Sequence, residues 1–324
     1  MIKTKKQYKK SKSLSLFLIS LVSLVVLFYI VAINTHVKRQ VAETILFDPP
    51  ISIPTPQPYP VLSSVLGASA QDTTPYDFNQ TLSAQAALVM DNDSKVILFA
   101  KNPKLRLPMA STTKIMTALT ALDYYSMDSI LTIQADKVVG AIVGFKKGER
   151  FTFGDLLYAM MLPSGNDAAI AIAQNYPRGE IEFVKKMNER AQELHLLNTH
   201  FLDASGVSGD GDYTTVFDLA HLTSKAMDNE IFAQIVATKN KVISDIDGKV
   251  SFPIYNLNKL LGVDGVNGVK TGYTDQAGQV LVTSKEETGH TIITVVMASS
   301  DRFLDTQKLL GLISGNITYL PIRP

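Results

Sequence analysis

Three short polar clusters have residue types and spacings suited to nucleophilic chemistry. In Met109-Ala110-Ser111-Thr112-Thr113-Lys114-Ile115-Met116-Thr117, Ser111 and Lys114 are three apart in good helix-forming sequence after Pro108. On a helix the amine returns to the face of the hydroxyl about one turn later. A serine is a poor nucleophile until a base takes its proton, and a lysine can be that base only where its surroundings favour the neutral amine. Ser111 also stands where a helix starts, as N-cap or in the first turn, and a simple cap beside a solvated lysine would use the same residues. Ordinary composition gives this spacing about once per chain of this length.

The second cluster, Ser164-Gly165-Asn166, lies between Leu162-Pro163 and the apolar run Ala168-Ala169-Ile170-Ala171. That context puts a hydroxyl and a carboxamide in a loop at a helix start, where both can be aimed into a cleft. The tripeptide recurs as Ser314-Gly315-Asn316, which reads as a helix-terminating turn, so alone it discriminates nothing. The third cluster is Lys270-Thr271-Gly272. It offers an ammonium, a hydroxyl and a stretch of backbone without a side chain, which suits an anionic ligand lying along an edge strand. A turn with an exposed lysine is the competing reading.

Hydrophobic patterning supplies the elements that must hold these clusters. Ala86-Ala87-Leu88-Val89-Met90 and Val96-Ile97-Leu98-Phe99 flank the turn-rich Asp91-Asn92-Asp93-Ser94, the pattern of a β-hairpin. The middle third reads as helical, with Phe153-Gly154-Asp155 leading into Leu156–Met161, then Asp167–Gln174 and Ile181–Leu194, broken by Pro163 and Pro177. Strand patterns return at Gly278–Thr283 and Thr291–Met297, and a last helix is expected over Arg302–Ile313. Strands at both ends with helices between them imply a sheet assembled from distant segments, with its ligand cleft at a subdomain boundary.

In this order the clusters resemble the Ser-x-x-Lys, Ser-x-Asn and Lys-Thr-Gly set of penicillin-binding proteins and class A β-lactamases. The resemblance runs from Ala84 to about Leu312 and is greatest to the low-molecular-mass D-Ala-D-Ala carboxypeptidases, peptidase family S11. Further matching segments are Lys186-Met187-Asn188-Glu189-Arg190-Ala191 and Gly265-Val266-Asn267-Gly268 running into the third cluster. The resemblance implies an α+β fold, a β-lactamase/penicillin-binding-protein-like antiparallel sheet flanked by helices, with an inserted mostly helical subdomain. It also implies roles. Ser111 would attack the carbonyl of the penultimate D-Ala and Lys114 would take its proton. Ser164 would pass a proton to the departing D-Ala, and Asn166 would hold Lys114 and a substrate amide. Lys270 and Thr271 would bind the terminal carboxylate, and the N–H groups of Ser111 and Tyr273 beside Gly272 would form the oxyanion hole. Lys270 is expected to favour neutral Lys114 by repulsion. The expected partners are peptidoglycan stem peptides and, as covalent inhibitors, β-lactams; the chemistry requires no metal and no organic cofactor.

Composition narrows the field. The 324-residue chain has no cysteine, which removes disulfides, thiolate nucleophiles and Cys-based metal sites. Its formal charge of +1 hides an asymmetry: Lys3, Lys5, Lys6, Lys9, Lys10 and Lys12 precede any acid, and removing those six leaves 25 basic against 30 acidic side chains, no surface for nucleic acid. Leu14–Ile33 carries no charge and would span about 30 Å as a helix, the thickness of a bilayer core. With the lysines before it, the expected topology is a cytoplasmic tail (1–12), one transmembrane helix acting as a signal-anchor (13–34) and everything beyond outside the cell membrane. A cleaved signal peptide is the alternative, although its best cleavage site, Ala68-Ser69-Ala70, lies far downstream. Pro49, Pro50, Pro54, Pro56, Pro58 and Pro60 mark 35–82 as an extended tether. The catalytic domain is then expected over 83–315, with a tail over 316–324. Many S11 enzymes continue into a β-rich module and a membrane-binding helix, so here anchoring is expected from the N-terminal helix.

Rival chemistries find little support. His36, His195, His200, His221 and His290 form no His-Glu-x-x-His pair and accompany no Gly-x-Ser-x-Gly elbow, so they read as surface or packing residues. Asp203, Asp210 and Asp212 lie in a Gly-rich run without the spacing of a calcium loop. A β-lactamase would carry a Glu-x-x-Leu-Asn segment, which Glu189 and Glu193 do not match. A D,D-endopeptidase, or a catalytically idle wall-binding homologue, stays open.

Overall fold

The computed structural model describes residues 78–209 and 211–317. The anticipated transmembrane segment, most of the tether and the last residues of the tail lie outside them. No helix among the described residues is long and apolar enough to cross a membrane. The stretch read as tether does not stay extended to its end: a short helix α1 (Phe78–Thr81) sets Phe78 edge-on against Phe99 at 5.6 Å, and Leu82 is buried.

The hairpin forms as its pattern predicts, from β1 (Ala86–Asp91) and β2 (Ile97–Lys101). A tight 3-10 turn over Ala110–Thr113 runs directly into helix α2 (Lys114–Leu122), of which all but Leu122 is buried; an all-round buried helix belongs in a core. A small ladder follows, β3 (Ile130–Thr132) with β4 (Arg150–Thr152), then α3 (Phe153–Met161), α4 (Asn166–Gln174) and α5 (Glu180–Glu193). Two further helices, α6 (Val216–Met227) and α7 (Glu230–Val236), and a second small ladder, β5 (Asn240–Ser244) with β6 (Ser251–Tyr255), did not stand out in the hydrophobic pattern. The chain then builds β7 (Val266–Thr274), β8 (Gly278–Glu287), β9 (His290–Ser299) and α8 (Arg302–Ile313).

The main sheet has the order β2-β1-β9-β8-β7 and is antiparallel throughout, so the first hairpin pairs with strands some 200 residues later in the sequence. Both of its faces are covered. Leu88, Met90, Val282 and Val295 join the large core with α2 to α7, whereas Ala87, Val89, Leu281 and Val296 pack under α8. Covering on both faces explains why the central strands read as continuous apolar runs rather than as an alternation. The α+β class, with an antiparallel sheet flanked by helices, is thus the observed architecture.

The two ends of the domain are stapled by Asp305 on α8. Its carboxylate accepts hydrogen bonds from Ser83 N (3.1 Å), Ala84 N (2.8 Å), Ser83 Oγ (2.7 Å) and Ser299 Oγ (2.7 Å). Burial alone would raise its pKa, yet these donors hold it below the usual carboxylate range. Asp305→Ala orphans buried donors and should destabilise the domain by about 2–4 kcal/mol, read as a lower urea midpoint. Because the folded-state pKa is depressed, the contribution is present above the unfolded value of about 4 and fades as pH falls below it. The difference between wild type and variant should therefore shrink in acid.

Candidate active site

The catalytic turn begins at Ala110, a non-glycine residue with φ of 47°. The Met109 carbonyl accepts both Thr112 N (3.2 Å) and Thr112 Oγ1 (2.6 Å), so it closes the turn. Ser111 consequently is not an N-cap; it is the second residue of the 3-10 turn, and no side-chain cap is made there. The tighter 3-10 winding puts residues i and i+3 in one line. Lys114 Nζ accordingly lies 2.9 Å from Ser111 Oγ.

Lys114 is completely buried, and its amine has two further neighbours, Asn166 Oδ1 at 2.7 Å and the Ser205 carbonyl at 2.7 Å. Both can only accept. A neutral amine spends its two N–H groups on them and turns its lone pair to the Ser111 hydroxyl, which then donates. The Asn166 amide is oriented for this, because its Nδ2 donates to the Val139 carbonyl at 2.7 Å. Burial lowers the Lys114 pKa to about 7, against the opposing pull of Asp203, Asp167 and Asp212. The expected cause was repulsion by Lys270. Desolvation is the largest cause on Lys114, and the two buried amines repel each other: the Lys270 pKa is pushed well down by burial, then by Lys114 and Arg302.

Ser164 and Asn166 reach the site from the α3–α4 junction. Ser164 has φ of 65° and is buried, and among the described residues its hydroxyl has no hydrogen-bond partner, so the group is available to a ligand. Asn166 is the first residue of α4, and its N–H donates to the Ala141 carbonyl at 2.7 Å. The loop that supplies both Val139 and Ala141 is held by Asp167, whose buried carboxylate accepts the successive N–H groups of Val143 (3.0 Å), Gly144 (2.8 Å) and Phe145 (3.3 Å).

The third cluster lies inside β7, on the free edge of the sheet, rather than before a strand. Gly272 brings the strand close. A Cβ on it would meet Ala110 Cβ and the Met109 carbonyl at 3.2 Å and Ser111 N at 3.3 Å, so a side chain there would press the catalytic turn away by a few tenths of an ångström. Lys270 and Thr271 are buried, with Lys270 Nζ 2.9 Å from the Thr271 carbonyl. Tyr273 is 61% exposed, and its hydroxyl donates to Asp275 at 3.0 Å. Arg302, at the start of α8, donates to the Gly272 carbonyl at 2.6 Å. Two basic side chains beside one edge strand are an arrangement that can receive a carboxylate.

Of the residues that sequence reasoning brought out, the structure puts Ser111, Lys114 and Asn166 in hydrogen-bond contact and sets Gly272 against the turn, with Ser164 at the α3–α4 junction and Lys270, Thr271 and Tyr273 beside Gly272 on β7. Sequence reasoning missed Arg302, the Ser205 carbonyl and the 139–145 loop. Arg302 had been read only as the first residue of a helix, and a backbone carbonyl leaves no signature in residue type. Gly206 does: at φ of 81° it sits so tightly against the turn that a Cβ would lie 2.0 Å from the Ala110 oxygen.

One group among the described residues has cation-ligand geometry, Asp91, Asp93 and His290, at the β1–β2 turn and the start of β9. Asp91 Oδ1 there accepts the N–H groups of Asp93 (2.8 Å) and Ser94 (3.3 Å), ordinary turn chemistry, and the group contains no residue of the three clusters. Asp203 likewise accepts from Ser205, Gly206 and Ser208 within its own loop; Asp210 lies outside the described residues.

Comparison with known proteins agrees with this geometry. The family model for D-alanyl-D-alanine carboxypeptidase, Peptidase_S11, matches residues 70–301. The chain is similar to the D-alanyl-D-alanine carboxypeptidase of Streptomyces sp. strain K15, 35% identical over 71% of this chain and 87% of that one. It is 33% identical to the D-alanyl-D-alanine carboxypeptidase DacF of Bacillus subtilis over 67% of this chain, a match that spans 58% of that relative's length. A D-alanyl-D-alanine endopeptidase of Pseudomonas aeruginosa is 28% identical over 80% of this chain and 87% of its own. Among solved structures, the Streptomyces K15 DD-transpeptidase superposes with a TM-score of 0.68 at 34% identity, covering 71% of this chain and 96% of that one.

Proposed function

The chain belongs to the D-alanyl-D-alanine carboxypeptidase family, peptidase S11, and we propose that it trims the terminal D-Ala from peptidoglycan stem peptides through an acyl-enzyme on Ser111. The observation that carries this reading is the saturated amine of Lys114, whose only unspent orbital points at the Ser111 hydroxyl.

As Ser111 Oγ bonds to the carbonyl carbon of the penultimate D-Ala, its proton passes to Lys114 Nζ. The carbonyl oxygen becomes an oxyanion between the N–H groups of Ser111 and Tyr273, donors that β7 holds in place before charge develops. The C–N bond breaks, Ser164 relays the proton from Lys114 to the departing amine, and free D-Ala leaves. Water then attacks the ester carbonyl and gives a proton to Lys114, which passes it to Ser111 Oγ as the acyl C–O bond breaks, and the shortened peptide is released. Lys270 and Thr271, with Arg302 behind Gly272, neutralise the terminal carboxylate and hold the peptide along the strand edge. β-Lactams would acylate the same serine.

The same acyl-enzyme would serve a D,D-endopeptidase, and the Pseudomonas relative is named as one. A β-lactamase is disfavoured because Glu189 and Glu193 lie on α5 in ion pairs with Lys186, where neither can activate water at Ser111. Incubation of the protein with a synthetic stem pentapeptide should release one equivalent of D-Ala per peptide, followed by chromatography of the products. Cleavage confined to cross-linked dimers would turn the reading to endopeptidase, and no cleavage of either would overturn it.

We further propose that Leu14–Ile33 anchors the chain in the cell membrane, with the catalytic domain outside on a Pro-rich tether. Full-length protein should stay in the membrane pellet after alkaline carbonate and leave it only when detergent is added; release by carbonate would contradict the anchor.

A further inference from the structure

Residues 203–209 and 211–212 lie against the catalytic turn through Ser205, Gly206 and Asp212, and Asp203 and Asp212 are buried carboxylates. The two are treated differently. Asp203 accepts Ser205 N (2.5 Å), Ser205 Oγ (2.7 Å), Gly206 N (2.7 Å) and Ser208 N (2.7 Å), and these donors outweigh burial and keep its pKa low. Asp212 receives the Thr113 hydroxyl on Oδ2, at 3.2 Å, and feels the Leu202 amide, while its Oδ1 is buried with no partner of hydrogen-bond geometry among the described residues. Thr113 immediately precedes Lys114, and the amine of Lys114 is bonded to the same loop at Ser205.

We propose that Asp212 is a positioning residue whose carboxyl, tied to the catalytic turn through Thr113, exchanges its proton in step with Lys114 and so sets the pH at which Ser111 is activated. The inference rests on reading Lys114 as the base. The groups that face Asp212 are Asp203 on its own loop and Thr113 and Lys114 on the turn; His200 bonds to the neighbouring Gly211 carbonyl. Burial, then the negative charge of Asp203, raises the Asp212 pKa to about 7, the region in which Lys114 titrates; Thr113, the Leu202 amide and Lys114 pull the other way. The charge of each group acts on the other, so the two titrations are linked. With the same number of protons, the pair is either a protonated carboxyl beside a neutral amine or a carboxylate beside an ammonium. Only the first arrangement leaves Lys114 able to accept from Ser111.

The sign follows. As pH rises, ionisation of Asp212 adds a negative charge that holds the proton on Lys114, so neutral Lys114 appears later than it would beside a permanently neutral group. Asp212→Asn supplies that neutral group at constant shape. In the full chain, the second-order rate of Ser111 acylation by a penicillin, followed against pH, should keep its plateau within about threefold. Its acid limb should move down by roughly half a unit to one unit, with a single-proton slope. Thr113→Val removes the side-chain donor to the carboxylate, keeps Asp212 protonated to higher pH and should move the limb the same way by less; it also serves if Asp212→Asn does not fold. An unmoved or raised limb in the folded variants would overturn the role of Asp212 and leave the Ser111–Lys114 reading intact. Absence of any acylation in the wild type would instead remove that reading, and this one with it.

Discussion

Lys114→Met is expected to slow acylation of Ser111 by a factor of about 10³–10⁴ without unfolding the protein. A positioned general base is worth about 10²–10⁴ in rate, and among the described residues Lys114 is the one base hydrogen-bonded to the nucleophile, which places the loss at the upper end. The energetic argument for retained folding is specific to this site. Holding a lysine at a pKa of about 7 instead of 10.5 costs the folded state roughly 4 kcal/mol at neutral pH. Methionine removes that cost, and leaves the Asn166 oxygen and the Ser205 carbonyl unpaired, at about 1–3 kcal/mol each. The two contributions nearly offset, so the melting temperature should stay within several degrees of wild type while the reaction is lost. A variant with near-normal acylation would show that another group deprotonates Ser111. In the wild type, acylation needs the neutral amine, so its rate should climb through pH of about 7 and level off above it.

Ser111→Ala is the second large effect. The peptide would still bind, because the carboxylate receptor of Lys270, Thr271 and Arg302 belongs to β7 and α8 and not to the turn. Turnover should fall by at least about 10⁴-fold, since among the described residues Ser111 is the one hydroxyl hydrogen-bonded to the Lys114 amine, and Ser164 serves the mechanism as a proton relay rather than as a nucleophile. Binding of a stem peptide, measured by calorimetry, should change by less than about tenfold. A parallel collapse of binding would mean that the alanine disturbs the β7 contact at Gly272 rather than removing a nucleophile.

The sequence carries the site better than it carries the frame around it. Ser111 and Lys114 were legible because a three-residue spacing has one geometric meaning on a helix, and Lys270-Thr271-Gly272 because its residue types are rare in combination. The hairpin and the last helix were legible from patterning, since both have ends marked by turn or capping residues. What escaped reading escaped for physical reasons. β3 to β6 are only three to five residues long, too short for a period to show. Helix α6 was announced by Thr215 and Asp218, whose cap the structure forms at 3.0 Å, but Gly-rich sequence before it obscured the start. That Lys270-Thr271-Gly272 is strand and not turn depends on the partner β8, about ten residues further along. The cause of the neutral lysine was beyond sequence too. Proximity of Lys270 could be guessed from the motif set, whereas desolvation comes from the closing of α4 and the 203–212 loop over the amine.

Intact-mass analysis after incubation with a fluorescent penicillin, on wild type and Ser111→Ala in parallel, tests the central claim most directly. The account predicts one covalent adduct of the penicillin's mass on the wild type, stable over minutes, mapped to the peptide containing Ser111 and missing from the variant. An adduct that persists in Ser111→Ala, or a wild type that takes up no penicillin, would contradict it.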